Sequence, residues 1–149
     1  MKVGVVGLGL IGGSMAKAIK KKTEHTVIGW DISETVRLSA KLLEAVDEFM
    51  IEGNPKDCDI VLIALYPQAT VDYIKQHASD FKKGALVADC AGIKRLVCKN
   101  VKEIAEENGF LFIGAHPMAG IERSGFNYAS EKIFEGATMI LTPYQGANI

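Results

Sequence analysis

The sequence is poor in the features that mark several large classes of protein. Its 149 residues include only three cysteines, Cys58, Cys90 and Cys98, an odd number whose spacing matches no metal-ligand pattern. We therefore expect reduced thiols in a cytoplasmic protein, with no disulfide framework and no bound metal. No apolar run reaches the length of a transmembrane helix, and the first residues lack a signal-peptide pattern, so no membrane partner is expected.

An excess of charge of one sign is also missing. Lysine and arginine number 17 against 18 acidic residues, and the net charge is −1. This balance gives no basic surface for nucleic acid, so a small molecule is the expected partner. The one short basic run, Lys17–Lys22, is typical of a solvated helix C-terminus, where positive charge complements the helix dipole. The length fits one domain, residues 1–149.

Apolar β-branched runs alternate with helical patterns along the chain, which predicts βαβ units and a mainly parallel sheet. Beyond the first strand, strands are predicted at His25–Trp30, Asp59–Leu65, Ala85–Ala88, Phe110–Gly114 and Ala137–Leu141. Helices are predicted over Leu10–Lys20, Ser33–Ala45, Gln68–Ala78 and from about Lys94 to Glu107. The less regular parts are Val46–Ile51 (a strand or a linker), Ile121–Glu135 (part helix, part loop) and a tail, Tyr144–Ile149.

The second helix carries its own predictions. Ser33 is the expected N-cap, because a serine hydroxyl can accept a hydrogen bond from a free amide of the first turn. The apolar side of this helix is expected to comprise Val36, Leu38, Leu42 and Leu43.

The start of the chain carries the pattern around which the rest is organised. An apolar β-like run over residues 3–6 leads into Gly7, Gly9 and Gly12, spaced G-x-G-x-x-G, and the first helix follows. In a dinucleotide-binding turn, Gly7 allows the tight turn, Gly9 lets the backbone approach a pyrophosphate, and Gly12 lets the helix pack closely on the strand. The free amides at the helix N-terminus would then face the phosphates. The fold class expected is therefore α/β, a Rossmann-type doubly wound sheet.

The second predicted strand ends at Asp31, roughly 20 residues past the third glycine, where a carboxylate receives the adenosine ribose hydroxyls. A carboxylate repels a 2′-phosphate, and Ile32 and Ser33 supply no cation beside it. The nearest cation is Arg37, about a turn into the next helix. NAD is therefore expected rather than NADP. The alternative is a helix-capping aspartate beside a glycine-rich loop that binds no nucleotide.

Two further strand ends lie at the predicted ligand edge of the sheet. Leu65-Tyr66-Pro67 follows the central strand and is a candidate wall for the cofactor. His116 follows the Phe110–Gly114 strand, and imidazole titrates near neutrality, so it is the best candidate for a general acid or base. The alternative is a structural histidine at a strand end. His25 and His77 are expected at the surface.

The loop after the Ala85–Ala88 strand holds Asp89, Cys90 and Lys94. Lys94 could hold a substrate carboxylate or orient a catalytic group, or it could point to water from the first turn of a helix. Cys90 has no base assigned to it and is expected to be a small buried residue. Residues 122–124 (Glu, Arg, Ser) either line the same cleft or form a solvated loop.

Four stretches together resemble the nucleotide-binding domain of prephenate dehydrogenase and of its relative arogenate dehydrogenase. They are GLGLIGGS (Gly7–Ser14), Asp31, DCAGIK (Asp89–Lys94) and GAHPMAGIERSGFNYAS (Gly114–Ser130). The last stretch is the specific one, since the glycine pattern alone fits any Rossmann dehydrogenase. The resemblance runs from Met1 to about Pro143.

The resemblance implies NAD-dependent oxidative decarboxylation of prephenate to 4-hydroxyphenylpyruvate, a step of tyrosine biosynthesis. In such enzymes the histidine of the HP motif bonds the substrate C4 hydroxyl and helps remove its proton, a role that falls on His116. We also assign Lys94 to the catalytic group. The cofactor contacts implied are Gly7, Leu8, Gly9, Leu10, Ile11, Gly12, Asp31, Leu65, Tyr66, Pro67, Asp89, Ala91 and Gly92.

The chain departs from the family pattern at two points. Many members have a serine where this chain has Gly92, so either a water replaces the hydroxyl or His116 works without it. The family also continues into a helical domain that builds the dimer and supplies an arginine for the substrate carboxylate. Without it, we expect an exposed apolar patch, through which the chain could dimerise.

Three alternatives stay open from the sequence. The substrate could be arogenate rather than prephenate. The chain could belong to a dehydrogenase of the β-hydroxyacid or 6-phosphogluconate type, although the HPMAG loop argues against this. It could also be a stand-alone NAD-binding module without catalytic activity, which the absent second domain and Gly92 favour.

Overall fold

The computed structural model describes residues 1–143. Within that range, one seven-stranded sheet has the strand order β3-β2-β1-β4-β5-β6-β7. All neighbouring strands are parallel except β7, which runs antiparallel to β6. The chain reverses direction across the sheet between β3 and β4, which makes the fold doubly wound and confirms the predicted Rossmann-type class.

The strands are β1 (Lys2–Val6), β2 (Thr26–Trp30), β3 (Glu48–Phe49), β4 (Ile60–Ile63), β5 (Leu86–Asp89), β6 (Leu111–Pro117) and β7 (Met139–Thr142). The α-helices are α1 (Leu10–Lys22), α2 (Glu34–Leu42), α3 (Pro67–Gln76) and α4 (Lys94–Asn108). Short 3-10 helices lie at Ile51–Gly53, Phe126–Tyr128 and Glu131–Phe134. The predicted tail, Tyr144–Ile149, lies outside the described residues.

The two largest apolar cores lie on opposite faces of the sheet because successive strand residues point to opposite sides. Val5 and Val27 join the core under α1 and α2. Their chain neighbours Val6 and Ile28 join the larger core under α3 and α4. Burial of the inner strands on both faces explains their continuous apolar runs.

The part of the chain after α4 differs from the prediction in detail. Strand β6 runs on to Pro117, so His116 lies inside the end of the strand rather than in the loop beyond it. Residues 121–135 form loops and two short 3-10 helices, in line with the mixed structure expected. The ambiguous stretch after α2 contains the two-residue strand β3.

The apolar side predicted for α2 is confirmed at Val36 and wrong for its three leucines. Leu38 and Leu42 are 63% and 83% exposed, and Leu43 follows the end of the helix. The helix is instead buried through Ala40, with Val36 packed beside it, because short side chains let α2 lie close to the sheet. The cap prediction is confirmed, since the Ser33 hydroxyl accepts a hydrogen bond from the Val36 amide at 3.4 Å.

His77 was expected at the surface but is buried at the end of α3. Its ring lies 4.7 Å from the Tyr73 ring, and Nδ1 is 2.9 Å from an Asp80 carboxylate oxygen. His25 is half-buried. Neither histidine lies in the groove described below. Among residues 1–143, none of the helices is long and apolar enough to span a bilayer.

Candidate functional site

A groove of about 450 Å³ lies at the carboxyl edge of the sheet, where open α/β folds bind their ligands. The groove is formed by the glycine turn after β1, the end of β2, the loop after β4, the loop after β5 and the loop before residue 126. Its lining residues are Gly7, Gly9, Leu10, Ile11, Asp31, Ala64, Leu65, Tyr66, Pro67, Ala69, Cys90, Ala91, Gly92, Arg123, Ser124 and Gly125. Most residues predicted to contact a cofactor thus meet in one place.

Gly7 and Gly12 shape the turn as the sequence predicted. Gly7 has φ +85°, a left-handed conformation that favours glycine. A Cβ on Gly12 would lie 1.9 Å from the Gly7 carbonyl oxygen, so only glycine allows this approach of α1 to the strand end. Both glycines are therefore required by the fold itself, whatever the groove binds.

Gly9 differs, because the fold does not need a glycine there. Its φ is −75°, and a Cβ added to it would have no atom of the described residues within 4 Å. The open space lies on the groove, directly before α1. The α1 N-terminus has no side-chain cap and no acidic residue in its first turn, so its free amides point to this space. A glycine that only a ligand explains, beside uncapped amides, suits an anionic group.

Asp31 is held at the end of β2 by two backbone amides. One carboxylate oxygen accepts a hydrogen bond from Leu8 N at 2.8 Å, and the other accepts one from Ser33 N at 2.9 Å. Each oxygen keeps a second lone pair for a ligand hydroxyl. Arg37 comes closer than its place in the sequence suggests, since its guanidinium donates to the Asp31 carbonyl oxygen at 2.5 Å and lies 4.7 Å over the Trp30 ring.

Leu65, Tyr66 and Pro67 form the wall of the groove after β4, as predicted. Pro67 opens α3 at its first position, where the missing amide has no cost. Tyr66 precedes the helix and is 89% exposed, so its ring stands free at the mouth of the groove. Leu10 and Ile11 line the opposite wall.

His116 lies beside the groove at the point where Gly92 borders it. A Cβ built on Gly92 would lie 3.7 Å from His116 Cε1, which is ordinary contact. The His116 ring is half-buried, and its Nδ1 is buried without a hydrogen-bond partner among the described residues. The family serine position and the histidine are thus neighbours in space, although 24 residues separate them in the chain.

Of the alternatives left open for Lys94, the structure agrees with the one in which the lysine orients other groups of the protein. Its ammonium donates to the buried carboxylate of Asp89 and, at 2.5 Å, to the Ala115 carbonyl oxygen. The lysine side chain is 18% exposed and that of Asp89 is 0% exposed. Because both acceptors belong to strand ends, the lysine ties β5 to the residue before His116. In the described structure Lys94 therefore holds two strand ends together, and its assignment to the catalytic group stays a prediction.

Two predicted cofactor contacts were wrong. Asp89 is fully buried, since its carboxylate accepts from the Ala91 amide and from Lys94 inside the protein. Leu8 is also fully buried, because its side chain packs in the core under α1 and α2. Both residues instead fix groups that line the groove. The Asp89 carboxylate accepts a hydrogen bond from the Ala91 amide, and the Leu8 amide donates one to the Asp31 carboxylate.

Of the three cysteines, Cys58 is buried, whereas Cys90 and Cys98 are half-buried. Burial raises the pKa of the Cys90 thiol to about 12, with the nearby Asp89 adding to the effect, so this thiol stays protonated at neutral pH. Its sulfur lies 3.7 Å from the Met15 sulfur. Across residues 1–143, no cluster of histidine, cysteine and acidic residues has the geometry of a metal site.

Two larger hollows, of about 510 and 860 Å³, lie elsewhere. The larger is bordered by four lysines that already have partners. Lys20 and Lys21 pair with Asp47 at 2.5 Å and Glu131 at 2.7 Å. Lys17 and Lys41 donate to the backbone carbonyl oxygens of Ala129 and Asp47. Neither hollow is lined by the glycine turn, by Asp31 or by Gly92. We assign the site to the groove because the glycine turn, Asp31 and the Gly92 loop meet there.

Sequence reasoning missed how the segment after His116 is fixed. Phe126 is 3% exposed and packs where α1 has Gly13, whose added Cβ would lie 2.7 Å from the ring. Ser14 also accepts a hydrogen bond from the Ser130 amide at 2.9 Å. The signal was present in the small residues of α1 at positions 12–14, which allow another part of the chain to approach the helix closely.

The fold and the groove together define a nucleotide-binding domain of the Rossmann class. The sequence profile for the nucleotide-binding domain of prephenate dehydrogenase matches residues 15–148. The chain belongs to the prephenate dehydrogenase family, which confirms the resemblance and decides against the β-hydroxyacid and 6-phosphogluconate alternatives.

Individual relatives agree with this placement. Prephenate dehydrogenase of Bacillus subtilis is 36% identical over 146 residues, covering 95% of this chain and 39% of that protein. Arogenate dehydrogenase of Synechocystis superposes with a TM-score of 0.89 at 29% identity, over 97% of this chain and 51% of that one. Prephenate dehydrogenase of Aquifex aeolicus, solved with hydroxyphenyl propionate and NAD+, superposes with a TM-score of 0.85 at 28% identity. The match covers 99% of this chain and 52% of that one.

The chain is short beside these relatives. It spans 40% and 39% of the two prephenate dehydrogenases from Lactococcus lactis and Bacillus subtilis. Each relative therefore contains a large part to which nothing in these 149 residues corresponds.

Proposed function

We propose that this chain binds NAD in the groove and forms the cofactor half of a prephenate dehydrogenase active site. The observation that carries the proposal is the meeting of Gly92 and His116 at one end of a groove whose other end holds Asp31. A dinucleotide lying between these ends would bring its redox group beside a residue that can move a proton.

The residues of the groove fit a dinucleotide. Asp31 would accept the adenosine ribose hydroxyls, and the space at Gly9 before α1 would receive the diphosphate. Leu65, Tyr66, Ala91 and Gly92 would enclose the remainder. Asp31 supports NAD over NADP by repelling a 2′-phosphate. The Aquifex aeolicus relative was solved with NAD+, which supports the same choice.

In the proposed reaction, NAD held by Asp31, the Gly9 turn and the Gly92 loop would supply the hydride acceptor for ring C4 of prephenate. His116 would bond the C4 hydroxyl and take its proton as the C4–H bond breaks. The bond from the ring to its carboxylate would then break, its electron pair would make the ring aromatic, and carbon dioxide would leave. The ring oxygen, left as a phenolate, would take the proton back from His116. Lys94 and Asp89 hold the strand end on which His116 sits. With Gly92 in place of a serine, His116 makes its contact without a neighbouring hydroxyl.

Prephenate is proposed as the substrate because curated relatives at 36% and 32% identity carry the name prephenate dehydrogenase. Arogenate is the second candidate, favoured by the 0.89 TM-score of the Synechocystis arogenate dehydrogenase. The two substrates differ in the side chain, so turnover of each with NAD separates them.

The test is NADH formation, followed by absorbance, with the purified chain, NAD and prephenate. His116→Gln should keep NAD binding and lose NADH formation, whereas His25→Gln, a histidine outside the groove, should retain both. Turnover retained by His116→Gln would remove His116 from the mechanism. If the unaltered chain binds NAD and forms no NADH, the proposal is reduced to cofactor binding.

A further inference from the structure

The groove is almost without positive charge, although the ligand proposed for it carries a diphosphate. Among its lining residues in the described part of the chain, Asp31 is acidic and Arg123 is the single cation. The free amides before α1 supply partial positive charge but no full charge. Arg123 is therefore the residue able to neutralise a phosphate there.

Arg123 is held at the groove by the segment that follows it. Phe126 is buried against α1 at Gly13, and the Ala129 carbonyl oxygen accepts a hydrogen bond from Lys17 at 2.7 Å. The Ser130 amide is bound to Ser14 on the same helix. These contacts fix residues 126–130 along α1, the helix whose first turn borders the groove. Arg123, three residues before Phe126, lies at the groove mouth.

The guanidinium of Arg123 is oriented but keeps donors free. It lies 5.2 Å from the centre of the Tyr128 ring, and Nη1 is 3.4 Å from the Tyr128 hydroxyl. Within residues 1–143, no ion pair joins it to a carboxylate. Arginine has five N–H donors in a planar fork that matches phosphate geometry, and most of them stay available.

We propose that Arg123 binds the diphosphate of the dinucleotide, adding a full positive charge to the partial charge of the α1 amides. This inference rests on the proposed NAD site. It assigns the loop after the histidine motif a role in cofactor affinity, whereas the sequence left that loop as either a cleft wall or solvated surface. A substrate carboxylate is the competing partner, and the experiment separates the two.

The experiment measures the dissociation constants of the full 149-residue chain for NADH, ADP-ribose and adenosine by calorimetry. ADP-ribose keeps the diphosphate and lacks nicotinamide, and adenosine lacks both. Arg123→Gln should weaken NADH and ADP-ribose by the same factor, about tenfold for a charge-assisted bond, and leave adenosine unchanged. Arg123→Lys should recover part of the loss. Lys99→Gln, which removes an exposed charge outside the groove, is the matched control.

Salt dependence gives a second readout. Because Arg123 contributes a screened charge, the fall in NADH affinity between low and high salt should be smaller for Arg123→Gln than for Lys99→Gln. NADH affinity unchanged in Arg123→Gln would overturn the inference, as would a loss confined to NADH or shared with adenosine. Failure of the unaltered chain to bind NADH would instead overturn the proposed function.

Discussion

Single side chains decide what the groove can hold, and Asp31 has the clearest role. Asp31→Ala removes the ribose acceptor together with its bonds to Leu8 N and Ser33 N. We expect NAD binding to weaken at least tenfold, since bonds to a charged group contribute about 1.5–3 kcal/mol, and NADP binding to weaken less. Fluorescence titration with NADH and NADPH measures both. Asp57→Ala, an exposed aspartate outside the groove, is the control, and unchanged affinity for both dinucleotides would contradict the assignment.

Gly92 offers a test of the space beside His116. Gly92→Ser restores the residue common in the family, and its Cβ would make only an ordinary contact, 3.7 Å from His116 Cε1. We expect the free energy of unfolding to change by less than about 1 kcal/mol. Gly12→Ser should cost about 3 kcal/mol, because its Cβ would meet backbone at 1.9 Å. Urea unfolding compares the two, and equal destabilisation would show that the Gly92 pocket is closed.

Residue types at strand ends directed the predictions to Asp31, His116 and the glycine turn, which the structure places in or beside one groove. They failed for Leu8 and Asp89, because a motif gives the position of a residue but not the direction of its side chain. Arg37 shows the same limit. The Arg37 guanidinium donates to the Asp31 carbonyl oxygen while it stacks over the Trp30 ring. Sequence spacing alone does not reveal such a contact between elements.

At the level of helices and strands, the buried pair between Asp89 and Lys94 joins β5 to the end of β6. Lys94→Met would leave the Asp89 carboxylate buried without its cation, and we expect the chain to lose about 3–5 kcal/mol of stability. Asp89→Asn combined with Lys94→Met should recover more than half of that loss. Urea unfolding of the single and double variants measures this. A double variant no more stable than Lys94→Met would contradict a charge-based explanation.

Strand and helix order followed from the sequence because buried parallel strands are continuous apolar runs and helices show a period of 3.6 residues. The buried face of α2 could not be predicted from the sequence in this way. Its leucines fit a helical stripe, yet the sheet accepts Ala40, since close packing to a sheet favours a small residue over a large one. The end of β6 was also missed, because it pairs with β7, whose residues lie 22 to 28 positions further along the chain.

The molecule as a whole should lose stability in acid through its surface pairs. The Lys82 ammonium, with the Lys2 amide, lowers the pKa of Asp59 below 3.8. A carboxyl with a lower pKa in the folded state adds stability above its unfolded pKa, and this is lost as pH falls through the folded value. The melting temperature should therefore fall below about pH 4. Circular dichroism should show a shallower fall for Asp59→Asn, and parallel curves would contradict this.

The sheet also leaves an apolar face open on its α1 side. A hollow of about 360 Å³ there is bordered by Leu86 and Ile113, and Met139 and Leu141 are 43% and 55% exposed. An apolar patch of this kind was expected for a chain shorter than its family. Dimerisation through it, or its cover by a helical domain, stays a prediction.

We expect the groove to bind NAD, and Gly9 is the residue at which this is tested best. Calorimetric titration of the chain with NAD should show one site per chain. Gly9→Ala should greatly weaken that binding with an unchanged melting temperature, because its Cβ enters space that the fold leaves open and the diphosphate would fill. No binding by the unaltered chain, or equal binding by Gly9→Ala, would contradict the account.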